Sequence, residues 1–162
     1  MAVEKESKPL GGDAPEWTDR NAKARVHNNW GADLNSVTLR HRRSNDRNKQ
    51  DERTWYNLSS GADTPADLDI RYETGIGADF DYWWVTFQLT NGDVYVSKNS
   101  FFCNLTADDE GGIVTAVIDL QYKRLTIVCP KSTDCDTDSI VQSGSDEAAT
   151  PDYDDPEPSA SS

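Results

Sequence analysis

The chain has 162 residues, of which 35% are hydrophobic, and it carries a formal net charge of −13. That length suits one domain, and the low apolar fraction leaves part of the chain outside any core. Residues 1–130 hold 15 basic against 20 acidic side chains, which leaves no positive footprint and excludes duplex nucleic acid as a partner.

Taken in chain order, residues 1–23 contain Gly11-Gly12, Pro9, Pro15 and mixed charge, and read as a flexible N-terminal segment on which Trp17 docks back. From Ala24 the pattern changes to short β runs punctuated by turn residues, and no window of a dozen residues sustains a helical period. Strands are expected at 25–28, 34–43, 54–58, 66–72, 82–89, 94–97, 112–120 and 122–129. Eight short strands in a 24–130 domain predict an all-β fold, an antiparallel β-sandwich of jelly-roll-like form. Between 34 and 43, Val37, Leu39 and His41 share one face, and Thr38, Arg40 and Arg42 the other. The polar stretch from Ser44 to Glu52 is expected as a mobile loop.

The strongest single signal is the run Asp81–Leu89 followed by Thr90-Asn91-Gly92-Asp93. At a period of two, Trp83, Val85, Phe87 and Leu89 point one way and Tyr82, Trp84, Thr86 and Gln88 the other, and Asn-Gly predicts a tight hairpin. Trp83 thereby belongs to the core, while Trp84 is a large aromatic on a polar face. After Pro130 a single basic residue, Lys131, stands against nine acidic ones, with Ile140-Val141 the only pair of large apolar residues. Residues 131–162 are therefore expected as a disordered, dispensable acidic tail.

The chain holds no catalytic motif with its required context, no phosphate-binding glycine loop and no spacing for zinc, so neither a cofactor nor a metal site is expected. Asp134-Cys-Asp136-Thr-Asp138 imitates an EF-hand opening and fails at its sixth and twelfth positions, Ser139 and Ser145. Loop calcium near Asp79, Asp81 or Asp108–Glu110 is the weaker of two readings, the stronger being solvated acidic loops. Arg40, Arg42, Arg43, Arg47, Lys49 and Arg53 concentrate positive charge, which reads either as an anionic-headgroup loop or, in preference, as an exposed charged surface. Three cysteines make a poor disulfide framework, so Cys103 and Cys129 are expected as buried free thiols. No segment approaches the ~20 apolar residues of a membrane span, and the start of the chain has no secretory character, which points to a cytoplasmic protein.

The order of residues resembles the small β-sandwich family named for proteins up-regulated in long-lived worms, which also has fungal members. The resemblance rests on Val26, Asn28-Asn29, Gly31, Leu34, Val37, His41-Arg42, Trp55, Gly61, the run Tyr72–Gly77 and the run Asp81–Val85. It implies a jelly-roll-like sandwich, dimerisation, and a distant likeness to aegerolysins, which bind lipids. It brings no catalytic residues.

The leading expectation is a non-catalytic binding module for a small amphipathic molecule, a lipid headgroup or a protein partner. Trp84, Tyr82, Tyr72 and Trp55 would supply apolar contact, and His41 and Asp81 polar orientation. The alternative is a small acid/base enzyme, an isomerase or cyclase acting on a hydrophobic metabolite, with His41 as proton carrier and Asp81 or Asp79 as its orienter. A third expectation is a homodimer that buries the aromatic face.

Overall fold

In a computed structural model, which describes residues 16–153, the chain forms ten strands: β1 Trp17–Asn29, β2 Leu34–Arg43, β3 Gln50–Leu58, β4 Leu68–Gly75, β5 Asp81–Leu89, β6 Val94–Val96, β7 Ile113–Asp119, β8 Arg124–Val128, β9 Cys135–Thr137 and β10 Val141–Gln142. They make two five-stranded sheets, ordered β4-β1-β7-β8-β9 and β10-β6-β5-β2-β3. All pairings are antiparallel except β1 with β7, which run parallel. The all-β sandwich expected from the turn spacing is the observed architecture.

The two sheets bury their inner faces against each other, with Trp83, Tyr72, Phe87, Leu34 and Leu39 among the largest fully enclosed side chains. β5 alternates without a break, odd positions from Asp81 to Leu89 buried and even positions half-buried. The Asn-Gly turn closes it onto β6: Leu89 N–H donates to the Asp93 carbonyl at 2.8 Å, and Gly92 sits at φ +99°. Positive φ at that position is the reason for glycine.

Three expectations change. The first strand starts at Trp17 rather than inside the module, and pairs with β4 from Trp17↔Gly75 to Ala24↔Leu68. In the added stretch before residue 25 the inward residues are the small Ala22 and Ala24, so the apolar period was faint while Asp19, Arg20 and Lys23 dominated the composition. Gly75, at φ +103°, admits this pairing because a Cβ there would lie 2.6 Å from the Glu16 carbonyl oxygen.

The second change concerns the acidic tail. Residues 131–153 form an ordered strap: β9 adds to β8 at the edge of one sheet, and β10 adds to β6 at the edge of the other. Between them the chain crosses from sheet to sheet and inserts Ile140, which is 1% exposed. Asp134, Asp136 and Asp138 face solvent while Cys135, Thr137 and Ser139 turn inward. Acidity and order coexist because the charge occupies only the wet face. Residues 1–15 of the expected N-terminal segment and 154–162 of the expected tail lie outside the described residues.

Third, Cys103 is not a free thiol. It forms a disulfide with Cys135, tying the loop after β6 to the strap across 32 residues, while Cys129 stays buried and free.

Candidate functional site

The register of β2 on β5 places His41 opposite Trp83 and Arg40 opposite Trp84. Side chains alternate across a strand, so these neighbouring pairs lie on opposite faces of one sheet. On this sheet the nominated residues thus divide into an inner polar cluster, His41 and Asp81, and an outward aromatic pair, Trp84 and Tyr82.

The inner cluster is centred on His41, which is fully buried. Its Nδ1 is 3.0 Å from Asp51 Oδ2 and its Nε2 is 2.7 Å from Asp81 Oδ1, with the ring 4.8 Å from that of Trp83. Burial on its own disfavours the imidazolium, yet the hydrogen bonds to Asp51 and Asp81 outweigh it and raise the His41 pKa above the ordinary 6.5. The carboxylates are themselves held. Asp81 Oδ2 accepts the Leu105 N–H at 2.9 Å, and Asp51 Oδ2 accepts the Arg71 N–H at 3.1 Å. β2, β3, β4, β5 and the loop after β6 therefore meet at one imidazole.

Asp79, the other nominated orienter, does not reach this cluster. Its carboxylate accepts the Ser44 hydroxyl at 2.7 Å and pairs with Lys49 at 3.2 Å. Asp51, which the sequence reading did not nominate, takes its place, because the β2–β3 hairpin puts His41 directly opposite it. That partner follows from the hairpin register, with 41 paired to 51, and not from proximity in sequence.

Two nominated aromatics are interior. Tyr72 is 1% exposed and donates its hydroxyl to the Thr106 carbonyl at 2.8 Å; burial above all, with Asp109 and Glu110 nearby, pushes its pKa up to about 12. Trp55 is buried with its Nε1–H donated to Asp67 Oδ1 at 2.8 Å. Neither shares a surface with Trp84. The expected ligand face is corrected accordingly: strand parity and the inter-sheet core claim these two rings, leaving Trp84 and Tyr82 as the outward pair.

Trp84 lies beneath the strap. With Thr86 and Val96 it forms one wall of a cavity of about 420 Å³, and Ser143, Gly144, Ser145, Ala148, Ala149 and Tyr153 form the other. The Arg40 guanidinium sits 4.4 Å above the Trp84 ring, close enough for a cation–π contact. The Trp84 Nε1–H is buried and meets no acceptor among the described residues. Strap and sheet are joined here by Ser143 N–H to the Val94 carbonyl at 2.7 Å and Asn99 N–H to the Asp152 carbonyl at 2.6 Å. The strap wall was missed because its composition reads as disorder; the faint signals for it were Ile140-Val141 and the strict Asp/non-Asp alternation from 134 to 139.

Tyr82 faces a different neighbourhood. Its ring is 5.8 Å from that of Phe102, which stacks on Phe80 at 5.3 Å, and both phenylalanines are half exposed.

The basic cluster is largely neutralised within the fold: Arg43 pairs with Glu73 at 3.2 Å, Lys49 with Asp79 at 3.2 Å and Arg53 with Asp67 at 3.1 Å. Arg40 and Arg42 are buried, at 3% and 2% exposure. The expected exposed basic surface is thus reduced, among these six, to Arg47 and the partly exposed ends of the ion pairs. Asp109 is also committed, its carboxylate accepting from Thr106, Lys131 and Ser132. Among the described residues no group of three or more His, Cys, Asp or Glu is arranged to hold a metal ion, and no helix is long and apolar enough to cross a membrane.

No curated protein matches the chain. A family model does, over residues 18–146, a span that begins inside β1 and runs past β10 into the cavity wall. By that match the chain belongs to the family described as Up-Regulated in long-lived daf-2.

Proposed function

We propose that the chain is a non-catalytic binding module that holds a small amphipathic molecule between Trp84 and the C-terminal strap. The observation that carries this reading is the cavity of about 420 Å³ walled by Trp84, a size within the range of small-molecule sites. Its lining suits an amphipathic occupant: Trp84, Val96, Ala148 and Ala149 offer apolar contact, and Ser143 and Ser145 offer hydroxyl groups. The buried Trp84 N–H supports it further, since an unpaired buried donor costs about 1–3 kcal/mol. An occupant that shifts the indole slightly and presents an acceptor recovers that cost.

The acid/base alternative is the weaker reading. Both His41 nitrogens face carboxylates and the ring is sealed from solvent, so no imidazole atom is left to take a proton from a substrate. His41 fits better as a crosslink that fixes the sheet under the cavity.

The test is extraction. Full-length protein isolated from its native cells without denaturant is precipitated with organic solvent, and the supernatant is compared by mass spectrometry with that of Trp84→Ala. One defined species in the parent, absent or strongly depleted in a variant with unchanged circular dichroism, is the expected result. Equal occupancy in the variant, or an empty parent, overturns the proposal.

A further inference from the structure

The strap that walls the cavity is covalently tied to the rest of the sandwich at one place among the described residues, Cys103–Cys135. Resting on the reading of the cavity as a binding site, we propose that this disulfide is a redox latch whose reduction lets the strap lift away from Trp84 and takes one wall from the site.

The two sulfurs are placed unequally. Cys103 is 1% exposed, and Cys135 is only partly covered, on an edge strand with solvent-facing Asp134 and Asp136 beside it. A thiolate of a dithiol reductant reaches Cys135 Sγ first. Its attack breaks the Cys103–Cys135 bond, forms a mixed disulfide at Cys135 and releases Cys103 as a thiolate that takes up a proton. The second thiol of the reductant then closes on the first and expels Cys135, which is protonated in turn. Two electrons and two protons pass to the protein, and the reductant ends as its own disulfide. Cys129 is buried, separate from the bond, and its thiol is pushed up by that burial, so it is a poor competitor for this exchange.

Noncovalent attachment beyond the latch consists of short ladders and single hydrogen bonds, among them Ile140 N–H to the Lys123 carbonyl at 2.9 Å, Ser143 N–H to the Val94 carbonyl at 2.7 Å and Asn99 N–H to the Asp152 carbonyl at 2.6 Å. β9 has three residues and β10 two, with Ile140 the single buried side chain between them. The strap from Asp134 to Tyr153 carries six acidic residues and no Lys or Arg, so it repels itself once the tie is cut. All the cavity residues supplied by the strap, Ser143 to Tyr153, lie downstream of Cys135. The remaining wall stays on β5 and β6, whose ladder does not involve the disulfide.

The experiment compares full-length protein before and after treatment with dithiothreitol, and Cys135→Ser without reductant. Amide exchange is read for residues 135–153 and for β1 and β7, and acrylamide quenching of the indoles is read in parallel with Trp84→Phe to isolate the Trp84 signal. Exchange of the strap should speed up by about tenfold or more with β1 and β7 unchanged, and Trp84 should become more quenchable; Cys135→Ser should match the reduced parent. Equal strap exchange in oxidised and reduced protein overturns the latch. Loss of protection in β1 and β7 together with the strap also overturns it, since the bond is then a staple for the whole fold. Both readouts are independent of any ligand, so the latch and the cavity reading fail separately.

Discussion

Both ring nitrogens of His41 face a carboxylate, and the ring is closed off from solvent, so its protonation state bears on folding. Its pKa in the folded chain is raised above 6.5. A raised pKa means that the stabilisation is complete below pH 6.5 and declines as pH rises through the folded value. The urea midpoint of the parent should therefore fall on the alkaline side of pH 6.5, over the interval up to that folded pKa. In His41→Ala that slope should be absent. Removing the imidazole also leaves Asp81, 1% exposed, without its cationic partner. Breaking a buried pair in this way costs about 3–5 kcal/mol. A parent midpoint that stays level over that pH interval would show that the imidazole is neutral in the folded protein. The sequence made part of this cluster visible, because strand parity put His41 on the inner face with Val37 and Leu39. Asp51 became visible only with the hairpin register, a tertiary quantity that the polar 44–49 stretch did not encode.

At the scale of elements, the strap is where composition misled. The nine acidic residues after Pro130 suggested chain that cannot bury itself, yet an edge strand needs only one dry face, and Cys135, Thr137 and Ile140 supply it. All eight expected strands are present, and 34–43 matches β2 at both ends, because each has a continuous period and bounding turn residues. β9 and β10 are too short to show a period. Truncation after Pro130 removes the Cys103–Cys135 tie, worth about 3–4 kcal/mol for a loop of this length in the chain-entropy treatment, and the burial of Ile140, about 1.5–3 kcal/mol. At a few degrees per kcal/mol the thermal midpoint should drop by about 10 °C or more. A change of only a few degrees in a calorimetric scan would restore the picture of a dispensable tail. The beginning of the strap has its own pH dependence. Burial alone would raise the Asp109 pKa, but Ser132 Oγ and the N–H groups of Thr106, Lys131 and Ser132 donate to its carboxylate and lower it below 3.8. Its stabilisation is therefore present above pH 3.8 and is lost as pH falls through the depressed folded value. Amide exchange at Lys131 and Ser132 should rise steeply there, after correction for intrinsic rates, whereas Asp109→Asn should already be unprotected at neutral pH.

For the whole molecule, the strap joins two sheets whose other long edge is formed by β3 and β4, which the Arg53–Asp67 pair and the Asp51–Arg71 hydrogen bond draw together. The sandwich is thus tied along both sides, one by local contacts and one by a segment that returns from the end of the chain. The second tie carries unbalanced charge. Net charge over the full chain is −13, and the solvent-facing acids of β9 and its flanks, Asp134, Asp136 and Asp138, stand in a row with Arg124 as a distant partner at 3.9 Å from Asp136. Repulsion between exposed charges is screened over about 10 Å at 0.1 M salt and about 30 Å at 0.01 M. Raising salt should therefore strengthen the attachment of the strap, although salt weakens exposed attractive pairs. The thermal midpoint of the parent should rise between about 10 mM and 150 mM sodium chloride. Replacing Asp136 and Asp138 by asparagine should raise the low-salt midpoint and flatten that dependence, because the substituted side chains face solvent and leave the β8–β9 ladder intact. A parent midpoint that falls with salt would mean that surface attractions, and not the crowding of acids on the strap, dominate the electrostatics of this fold.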